Sequence, residues 1–283
     1  MRDKAFTIKA GAATVICLVA FGAALSGRRP TVDVFDVGQG DAILVQCGTK
    51  QMLVDGGPDA TVLSKLGRTL PLFDRHLDVV VLTHPHADHY IGLIPVLERY
   101  RVDRLLVAGM DGSAPEYASF LDAATRAGLV PVAVRSGDRI TLGSCVAADV
   151  LWPPVGATTD DPNDASAVLR LARTDSSSPR AAMMLMGDAT AEAERALLER
   201  SPSLAADVLK AGHHGSRFST SAALIDAVLP KTAVISVGKN SYGHPSGAAL
   251  MRLKSRAVRV LRTDEDGDVR IVIGQDRAFV SRF

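Results

Sequence analysis

Short apolar runs alternate with longer amphipathic stretches along most of the chain. Runs rich in Val, Ile and Leu between turn-forming residues are typical of strands, whereas apolar residues spaced three or four apart indicate helices. Strands are predicted at Val32–Val37, Ala42–Cys47, Gln51–Asp55, Asp78–Thr83, Arg104–Ala108, Pro131–Val134, Val146–Trp152, Ser166–Leu171, Ala181–Gly187, Asp207–Ala211, Thr232–Val237, Val258–Leu261 and Val269–Ile273. Helices are predicted at residues 60–73, 89–100, 114–127, 190–200, 219–228 and 246–255.

The order of these elements favours a mixed α/β (α+β) fold. Each half of the chain contains many strands with helices between them, which predicts two sheets packed face to face and helices on the outer faces. This arrangement is a four-layer αββα sandwich. No linker rich in Pro or Ser divides residues 31–283, so we predict one domain over that range.

The first 30 residues differ from the rest of the chain. Ala10–Gly27 contains no charged residue, three basic residues precede it, and Arg28–Pro30 follows it. The stretch fits a signal peptide with a small-x-small cleavage site at Ala24–Ser26, or a single membrane anchor close to the roughly 20 residues that a span requires. A buried helix of the domain is a third interpretation. We predict that residues 1–30 are a signal peptide or anchor and that the domain lies outside the cytoplasm.

Charge and cysteine content narrow the picture further. The formal net charge is +1 for 283 residues, so binding to nucleic acid would have to come from a local basic patch. The three cysteines, Cys17, Cys47 and Cys145, form no C-x-x-C pair, which indicates neither a zinc knuckle nor a disulfide framework. A Cys47–Cys145 bridge would require a suitable distance. We expect both to be small buried apolar residues instead.

The segment Thr83–His89 carries the most distinctive chemistry. It places three histidines and an aspartate directly after a continuous apolar run. His84 and His86 are two apart on an extended loop and can face one metal ion, while Asp88 and His89 begin the next turn and can face a second. Two such ions can stabilise both the attacking and the leaving oxygen in a hydrolysis. The alternative, a solvated His-rich surface loop, fits poorly with the buried strand that precedes it.

This H-x-H-x-D-H segment resembles the signature of the metallo-β-lactamase fold superfamily. The resemblance implies that Asp55, in a Val-Asp-Gly-Gly turn, supports the metal loop and that Asp188, in Gly-Asp, bridges two metals. Without this resemblance, a Gly-Asp pair after a strand would be interpreted as an ordinary helix N-cap. It also implies that His244, in a Tyr-Gly-His-Pro turn, ligates the second metal, although a turn histidine packed on Pro245 is the alternative.

Further motifs resemble the hydrolase domain of the ComEC competence-protein family, which are DNA-uptake channels of the bacterial inner membrane. These motifs are Asp36–Ala42, Val208–Ser216, Asn240–Pro245, Asn163–Ser166 and Leu151–Pro154, and the resemblance covers roughly residues 31–275. Together with residues 1–30, the resemblance predicts a protein anchored to the inner membrane or secreted to the periplasm. Those channels carry many membrane spans, whereas this sequence offers at most one, so DNA transport does not carry over.

The resemblance also assigns roles around the metals. His213 would donate a proton or hydrogen bond to a phosphoryl oxygen, whereas His214 would face elsewhere, because adjacent side chains on extended backbone diverge. Asn163 and Ser166 sit where most of the superfamily has another metal-binding histidine and would support the site. The residues expected to contact the substrate are Asp36, Gln39, Asp41, Lys210 and Ser216.

The predicted function is a metal-dependent hydrolase that uses two divalent ions. No histidine lies between His89 and His213, so the donor set is rich in oxygen and admits manganese or magnesium as well as zinc. We expect a phosphodiesterase or nuclease acting on single-stranded DNA, with Asp88 and His213 as catalytic residues. The alternatives are a hydrolase of small esters, lactones or phosphoesters, and a metal-stabilised module that binds DNA without cutting it. Residues 10–27 would contact the membrane if they are not cleaved.

Overall fold

The computed structural model describes residues 29–108, 115–157, 159–200 and 203–281. Apart from its last two residues, the predicted signal or anchor segment lies outside this range. None of the helices in the described part of the chain is long and apolar enough to cross a membrane. The strands are β1 (Thr31–Val34), β2 (Ile43–Cys47), β3 (Lys50–Val54), β4 (His76–Leu77), β5 (Val79–Leu82), β6 (Arg101–Val102), β7 (Leu105–Val107), β8 (Val132–Ala133), β9 (Arg139–Leu142), β10 (Val146–Trp152), β11 (Val168–Arg173), β12 (Ala182–Leu185), β13 (Val208–Lys210), β14 (Thr232–Ile235), β15 (Arg259–Arg262), β16 (Val269–Ile273) and β17 (Ala278–Ser281).

Helices connect most of the parallel strands. The α-helices are α1 (Thr61–Thr69), α2 (Ala87–Tyr90), α3 (Leu93–Arg99), α4 (Pro115–Arg126), α5 (Ala191–Arg200), α6 (Ala222–Val228), α7 (Gly247–Lys254) and α8 (Thr263–Asp266). Two short 3-10 helices, Pro162–Ala165 and Gly212–Gly215, lie beside the site described below. Ser221 and Ser246 cap α6 and α7 by accepting hydrogen bonds from backbone N–H groups in the first turn.

The strands form two large mixed sheets. The first has eight strands in the order β17-β16-β1-β2-β3-β5-β7-β8, and the second has seven in the order β15-β14-β13-β12-β11-β10-β9. In the first sheet β3, β5, β7 and β8 run parallel. In the second sheet β12 to β15 run parallel. In each sheet these parallel strands end at the same edge.

The two faces of each sheet bury different partners. In β5, Val79 and Val81 join the core between the sheets, whereas Val80 and Leu82 pack under α1, α3 and α4. In β13, Val208 faces the same central core, and Leu209 packs on the other face with α5 and α6. This period of two on both sheets produces the predicted αββα layers.

The predicted strands correspond to observed ones, with differences of one to a few residues at most ends. The helix predicted at 89–100 corresponds to two short helices, α2 and α3, and the two residues between them, Ile91 and Gly92, keep right-handed helical backbone angles. A Cβ atom on Gly92 would lie 1.9 Å from the Gly56 carbonyl oxygen, so only glycine fits at this contact. The edge strands β9 and β17 are absent from the prediction, because each is short and partly exposed.

Cys47 and Cys145 form a disulfide, so the expectation of two separate buried thiols is wrong. Cys47 ends β2 in the first sheet, and Cys145 precedes β10 in the second. Their Cα atoms are 6.0 Å apart although 98 positions separate them in the sequence. The face-to-face packing of the sheets creates this proximity, which no local pattern indicates.

Candidate metal centre

The candidate site lies where the parallel strands of both sheets end. Asp55 follows β3 and Thr83–His89 follows β5, and these strands pair with Val54 opposite Val81. From the second sheet, Asp188 follows β12, and the Gly212–Gly215 turn follows β13. Because carboxyl ends of parallel strands meet at one edge, segments far apart in sequence converge there.

Four side chains form a compact donor cluster: Asp88, His89, Asp188 and His214. One donor atom from each lies within 4.8 Å of the others. The His214 Nε2 atom is 3.2 Å from Asp88 Oδ2 and 3.4 Å from Asp188 Oδ2. The His89 Nε2 atom is also 3.4 Å from Asp188 Oδ2. These residues could therefore hold a metal ion.

His84 and His86 lie next to the four-donor cluster, and the ring centroid of His84 is 4.2 Å from that of His89. The His84 Nε2 atom is 3.8 Å from Asp188 Oδ2, and the His84 side chain is completely buried. The rings of His84 and His86 have centroids 4.6 Å apart. The Nε2 atoms of His84, His89, His213 and His214 therefore all lie within 3.9 Å of one oxygen of Asp188. The bridging role of Asp188 stays a prediction.

The donor atoms fit a metal because the protein leaves them without other partners. The Nε2 atoms of His84, His89 and His214 and the Oδ1 atom of Asp188 are buried and accept or donate no hydrogen bond within the described residues. An unsatisfied buried polar atom costs about 1–3 kcal/mol. Imidazole nitrogens and carboxylate oxygens are ligands of zinc and manganese. Bound divalent cations would satisfy these atoms.

The electrostatics of the cluster also fit a cation. Burial by itself would lower the pKa of His89, but the surrounding carboxylates, Asp188 foremost, raise it well above its ordinary value. The same competition raises the pKa of His214 to about 10. His214 and His89 in turn outweigh burial and hold the pKa of the Asp188 carboxyl well below its usual range. A bound cation would therefore compete with protons for these histidine nitrogens.

Asp55 holds the metal loop in place. Its Oδ1 atom accepts a hydrogen bond of 2.8 Å from the Thr83 backbone N–H, and its Oδ2 atom accepts one of 2.7 Å from the Thr83 hydroxyl. The Asp55 Oδ2 atom is also 2.9 Å from His89 Nδ1. A carboxylate on the outer nitrogen of a metal-binding histidine fixes the ring orientation and its tautomer. The geometry suits the supporting role predicted for Asp55.

Ser166 performs a similar task for Asp188. Its hydroxyl oxygen accepts a hydrogen bond of 3.1 Å from the Asp188 backbone N–H, and its side chain is fully buried. Asn163 is also buried, its Oδ1 atom has no hydrogen-bond partner, and its carbonyl accepts a bond from the Ser166 N–H. Both therefore lie beside the site rather than in the donor cluster.

The expectation that His214 faces elsewhere is wrong. His213 and His214 have φ values of 46° and 51°, so the backbone is left-handed here and not extended. This turn directs His214 into the cluster, where its Nδ1 atom lies 2.9 Å from the Ser236 carbonyl oxygen. His213 points into the open cavity with its Nε2 atom 3.9 Å from Asp188 Oδ2. The flanking glycines, Gly212 and Gly215, are the sequence signal for this turn.

His244 does not join the four-donor cluster. Its ring centroid is 5.4 Å from that of His213, at the wall of the cavity. Asn240 holds it there by accepting a hydrogen bond from the His244 N–H and donating one to the His244 carbonyl. We therefore place His214, and not His244, in the donor set of the second metal.

Four of the five residues expected to contact the substrate do not line the open cavity beside the donor cluster. Lys210 and Asp41 are 0% and 1% exposed and form a buried ion pair, so neither can reach a substrate, which corrects that expectation. Ser216 is buried too, and its hydroxyl accepts a hydrogen bond from a backbone N–H. The Asp36 carboxylate accepts a bond from the N–H two residues on. Of the five, Gln39 lines the cavity.

Close backbone packing explains the position of the Gly38–Gly40 turn. A Cβ atom on Gly40 would lie 2.2 Å from the Asp88 carbonyl oxygen, so only glycine allows the turn to contact the metal loop. On its other side, a Cβ atom on Gly238 would lie 2.4 Å from the Gly38 carbonyl carbon. The turn supports the metal loop and does not face the open cavity, except through Gln39.

An open cavity of about 580 Å³ leads to the donor cluster. One wall is formed by the metal loop and the His213–His214 turn, and the opposite wall by residues 239–242 and 244. Lys239 and Tyr242 on this second wall are exposed. The sequence prediction identified the residues of the first wall and, on the second wall, assigned His244 to the metal site.

Two sheets with histidine and aspartate donors at one edge define a metal-dependent hydrolase, and residues 35–166 match the metallo-beta-lactamase superfamily. The chain therefore carries a metallo-beta-lactamase domain, as its motifs predicted. It is 32% identical over 260 residues to ComE operon protein 3 of Bacillus subtilis (strain 168), covering 84% of this chain and 32% of that protein. It is 29% identical over 255 residues to competence protein ComA of Neisseria gonorrhoeae, covering 89% of this chain and 33% of that protein.

The fold is also that of known structures. The metallo-beta-lactamase fold protein YhfI from Bacillus subtilis superimposes with a TM-score of 0.55 at 15% identity, over 90% of this chain and 100% of that one. At such identity the likeness shows the fold alone. The chain spans about a third of the length of each of the two relatives named above.

Proposed function

We propose that the protein is a two-metal phosphodiesterase that cleaves single-stranded DNA. One observation carries the proposal: the Nε2 atoms of four histidines lie within 3.9 Å of Asp188 Oδ2, and one of these histidines, His213, borders the open cavity. Two divalent ions can stabilise the attacking and leaving oxygens in the hydrolysis of a phosphodiester, and a nearby hydrogen-bond donor can stabilise a phosphoryl oxygen. The similarity to competence proteins supports DNA as the substrate.

The residues divide into two donor sets. His84, His86 and Asp188 would hold one ion, and Asp188 would contribute to the second together with Asp88, His89 and His214. Bound ions would neutralise charge on the phosphate and make water acidic enough to react near neutral pH. Ser166 holds the Asp188 backbone beside the first set, and no further histidine is assigned to that set, so oxygen donors would complete it. This composition admits manganese or magnesium besides zinc.

His213 would act on the substrate directly. Its ring borders the cavity with 27% of the side chain exposed, and its Nε2 atom is 3.9 Å from Asp188 Oδ2. From this position the imidazole would donate a hydrogen bond to a phosphoryl oxygen as negative charge develops there. A donor preorganised for such charge contributes about 10²–10³ in rate.

The test uses the full chain purified without chelator. Single-stranded DNA is incubated with the protein and manganese, magnesium or zinc, and products are separated by length. We expect cleavage with one or more of these ions and none by the double variant Asp88→Ala/Asp188→Ala. Absence of cleavage with every ion, or full cleavage by the double variant, would refute the proposal.

One observation favours a second candidate, a hydrolase of small phosphoesters or esters. A cavity of about 580 Å³ lies in the range of small-molecule sites. Bis-p-nitrophenyl phosphate, a p-nitrophenyl ester and a lactone are therefore assayed beside DNA. Faster turnover of one of these than of DNA would establish the second candidate. Metal-dependent retention of DNA without product would instead indicate a binding module.

We also propose that the domain works outside the cytoplasm, anchored to the inner membrane or in the periplasm. The Cys47–Cys145 disulfide supports this location, because disulfides persist in oxidising compartments and are rare in the cytosol. Alkaline phosphatase fused to the carboxyl terminus of the full chain should be active in bacteria. An inactive phosphatase together with a fluorescent cytoplasmic reporter at the same position would contradict the location.

A further inference from the structure

The loop that forms the second wall of the cavity carries an unusually exposed aromatic residue. Tyr242 is 75% exposed and lines the cavity. Its ring centroid is 5.8 Å from that of His244, which is 5.4 Å from that of His213. A row of three rings therefore leads from solvent to Asp188.

The loop is held in a defined conformation by Asn240. The Asn240 Oδ1 atom accepts hydrogen bonds from the backbone N–H groups of Tyr242 and His244, at 3.1 Å and 3.0 Å. The Asn240 Nδ2 atom donates to the carbonyls of Gly238 and His244, both at 2.8 Å. The Tyr242 ring therefore lies on a turn that hydrogen bonds hold in one conformation, which reduces the conformational entropy lost when a ligand binds.

The chemistry of this wall matches a nucleotide strand. An exposed aromatic face stacks on bases of any sequence, and stacking contributes to single-strand binding in many proteins. Lys239, three residues before the tyrosine, is exposed at the same wall and can contact a backbone phosphate. A small ester offers neither a run of bases nor a second phosphate for this wall.

We propose that Tyr242 is the stacking platform for a nucleobase next to the phosphate that is cleaved. The site would thereby select single-stranded nucleic acid, because in a duplex the faces of the bases are covered by their neighbours. This inference depends on the proposed phosphodiesterase function. It assigns a specificity-determining role to a residue outside both donor sets.

The experiment compares two oligomers with equal numbers of phosphates: oligothymidylate and the same backbone with abasic residues. Four full-length proteins are assayed for kcat/KM: wild type, Tyr242→Leu, Tyr242→Phe and Phe73→Leu. Phe73 is a matched control, because it is 89% exposed and lies before the start of β5, whereas the metal loop follows the end of β5. Phe keeps the aromatic face, whereas Leu removes it and keeps an apolar side chain.

We expect Tyr242→Leu to lose about 5- to 150-fold in kcat/KM on oligothymidylate, the range for removing one stacked base. On the abasic backbone it should equal wild type, and Tyr242→Phe and Phe73→Leu should match wild type on both oligomers. An equal loss on both oligomers, or no loss on either, would overturn the inference while leaving the phosphodiesterase function intact.

A separate readout applies if wild type cuts neither oligomer with any metal. That result refutes the proposed function, and the same four proteins are then compared by fluorescence anisotropy for binding to the two oligomers. A base-dependent loss of affinity confined to Tyr242→Leu would support the stacking platform. Equal affinities of Tyr242→Leu and wild type for oligothymidylate would overturn it.

Discussion

Removing the Cys47–Cys145 bridge should lower the stability of the domain by about 4–5 kcal/mol. The bridge closes a loop of 98 positions. A cross-link reduces the conformational entropy of the unfolded chain, and for a loop of about 100 residues this stabilises the folded state by about 4.7 kcal/mol. With a urea slope of about 3 kcal/mol per molar, the unfolding midpoint should fall by roughly 1.5 M.

The measurement is urea unfolding followed by circular dichroism, with chelator in all samples so that metal binding does not contribute. Oxidised wild type, reduced wild type and Cys47→Ala/Cys145→Ala are compared in a Cys17→Ser background. Reduced wild type keeps both sulfur atoms in place, so it separates loss of the cross-link from loss of side-chain volume. The double variant should be at least as unstable as the reduced protein.

Two results would refute the reasoning. Thiol titration of the unreduced protein in urea should detect no free thiol in this background, and two free thiols would show that the bridge does not form. Equal midpoints for oxidised and reduced wild type would show that the bridge forms but does not restrict the unfolded chain.

Four further predictions concern the site. His214→Ala should reduce the metal content of purified protein, whereas His213→Ala should retain metal and lose about 10²–10³ in rate; equal metal content by mass spectrometry would contradict the assignment. Asp55→Asn should weaken metal affinity about 10- to 100-fold in a chelator competition, and an unchanged affinity would exclude a supporting role. Lys210→Met should destabilise the fold by about 3–5 kcal/mol because it leaves Asp41 charged and buried, and adding Asp41→Asn should recover part of this loss in urea unfolding. Chelation should lower the melting temperature, and zinc or manganese at about 100 times its dissociation constant should raise the free energy of unfolding by about 2.7 kcal/mol. A melting temperature that neither chelator nor metal changes would argue against a bound ion.

The sequence by itself determined the layers of the fold and the metal loop. The run Val79–Leu82 is apolar at every position because both faces of β5 are buried, and such runs are visible without a structure. The donors of Thr83–His89 lie within seven consecutive residues, so their grouping is a local property. Asp55 and Asp188 were identified because they follow strands in motifs that resemble a known superfamily.

The tertiary structure decided which of the distant residues complete the site. His214 enters the cluster while His213 borders the cavity, because two left-handed residues bring both side chains to the site, whereas extended backbone would direct them to opposite faces. Lys210 and Asp41 proved to be a buried ion pair, and Cys47 and Cys145 a disulfide, because each contact joins segments that are far apart in the chain. Pairing across such separations depends on how the two sheets pack, and hydrophobic periodicity carries no information about that packing.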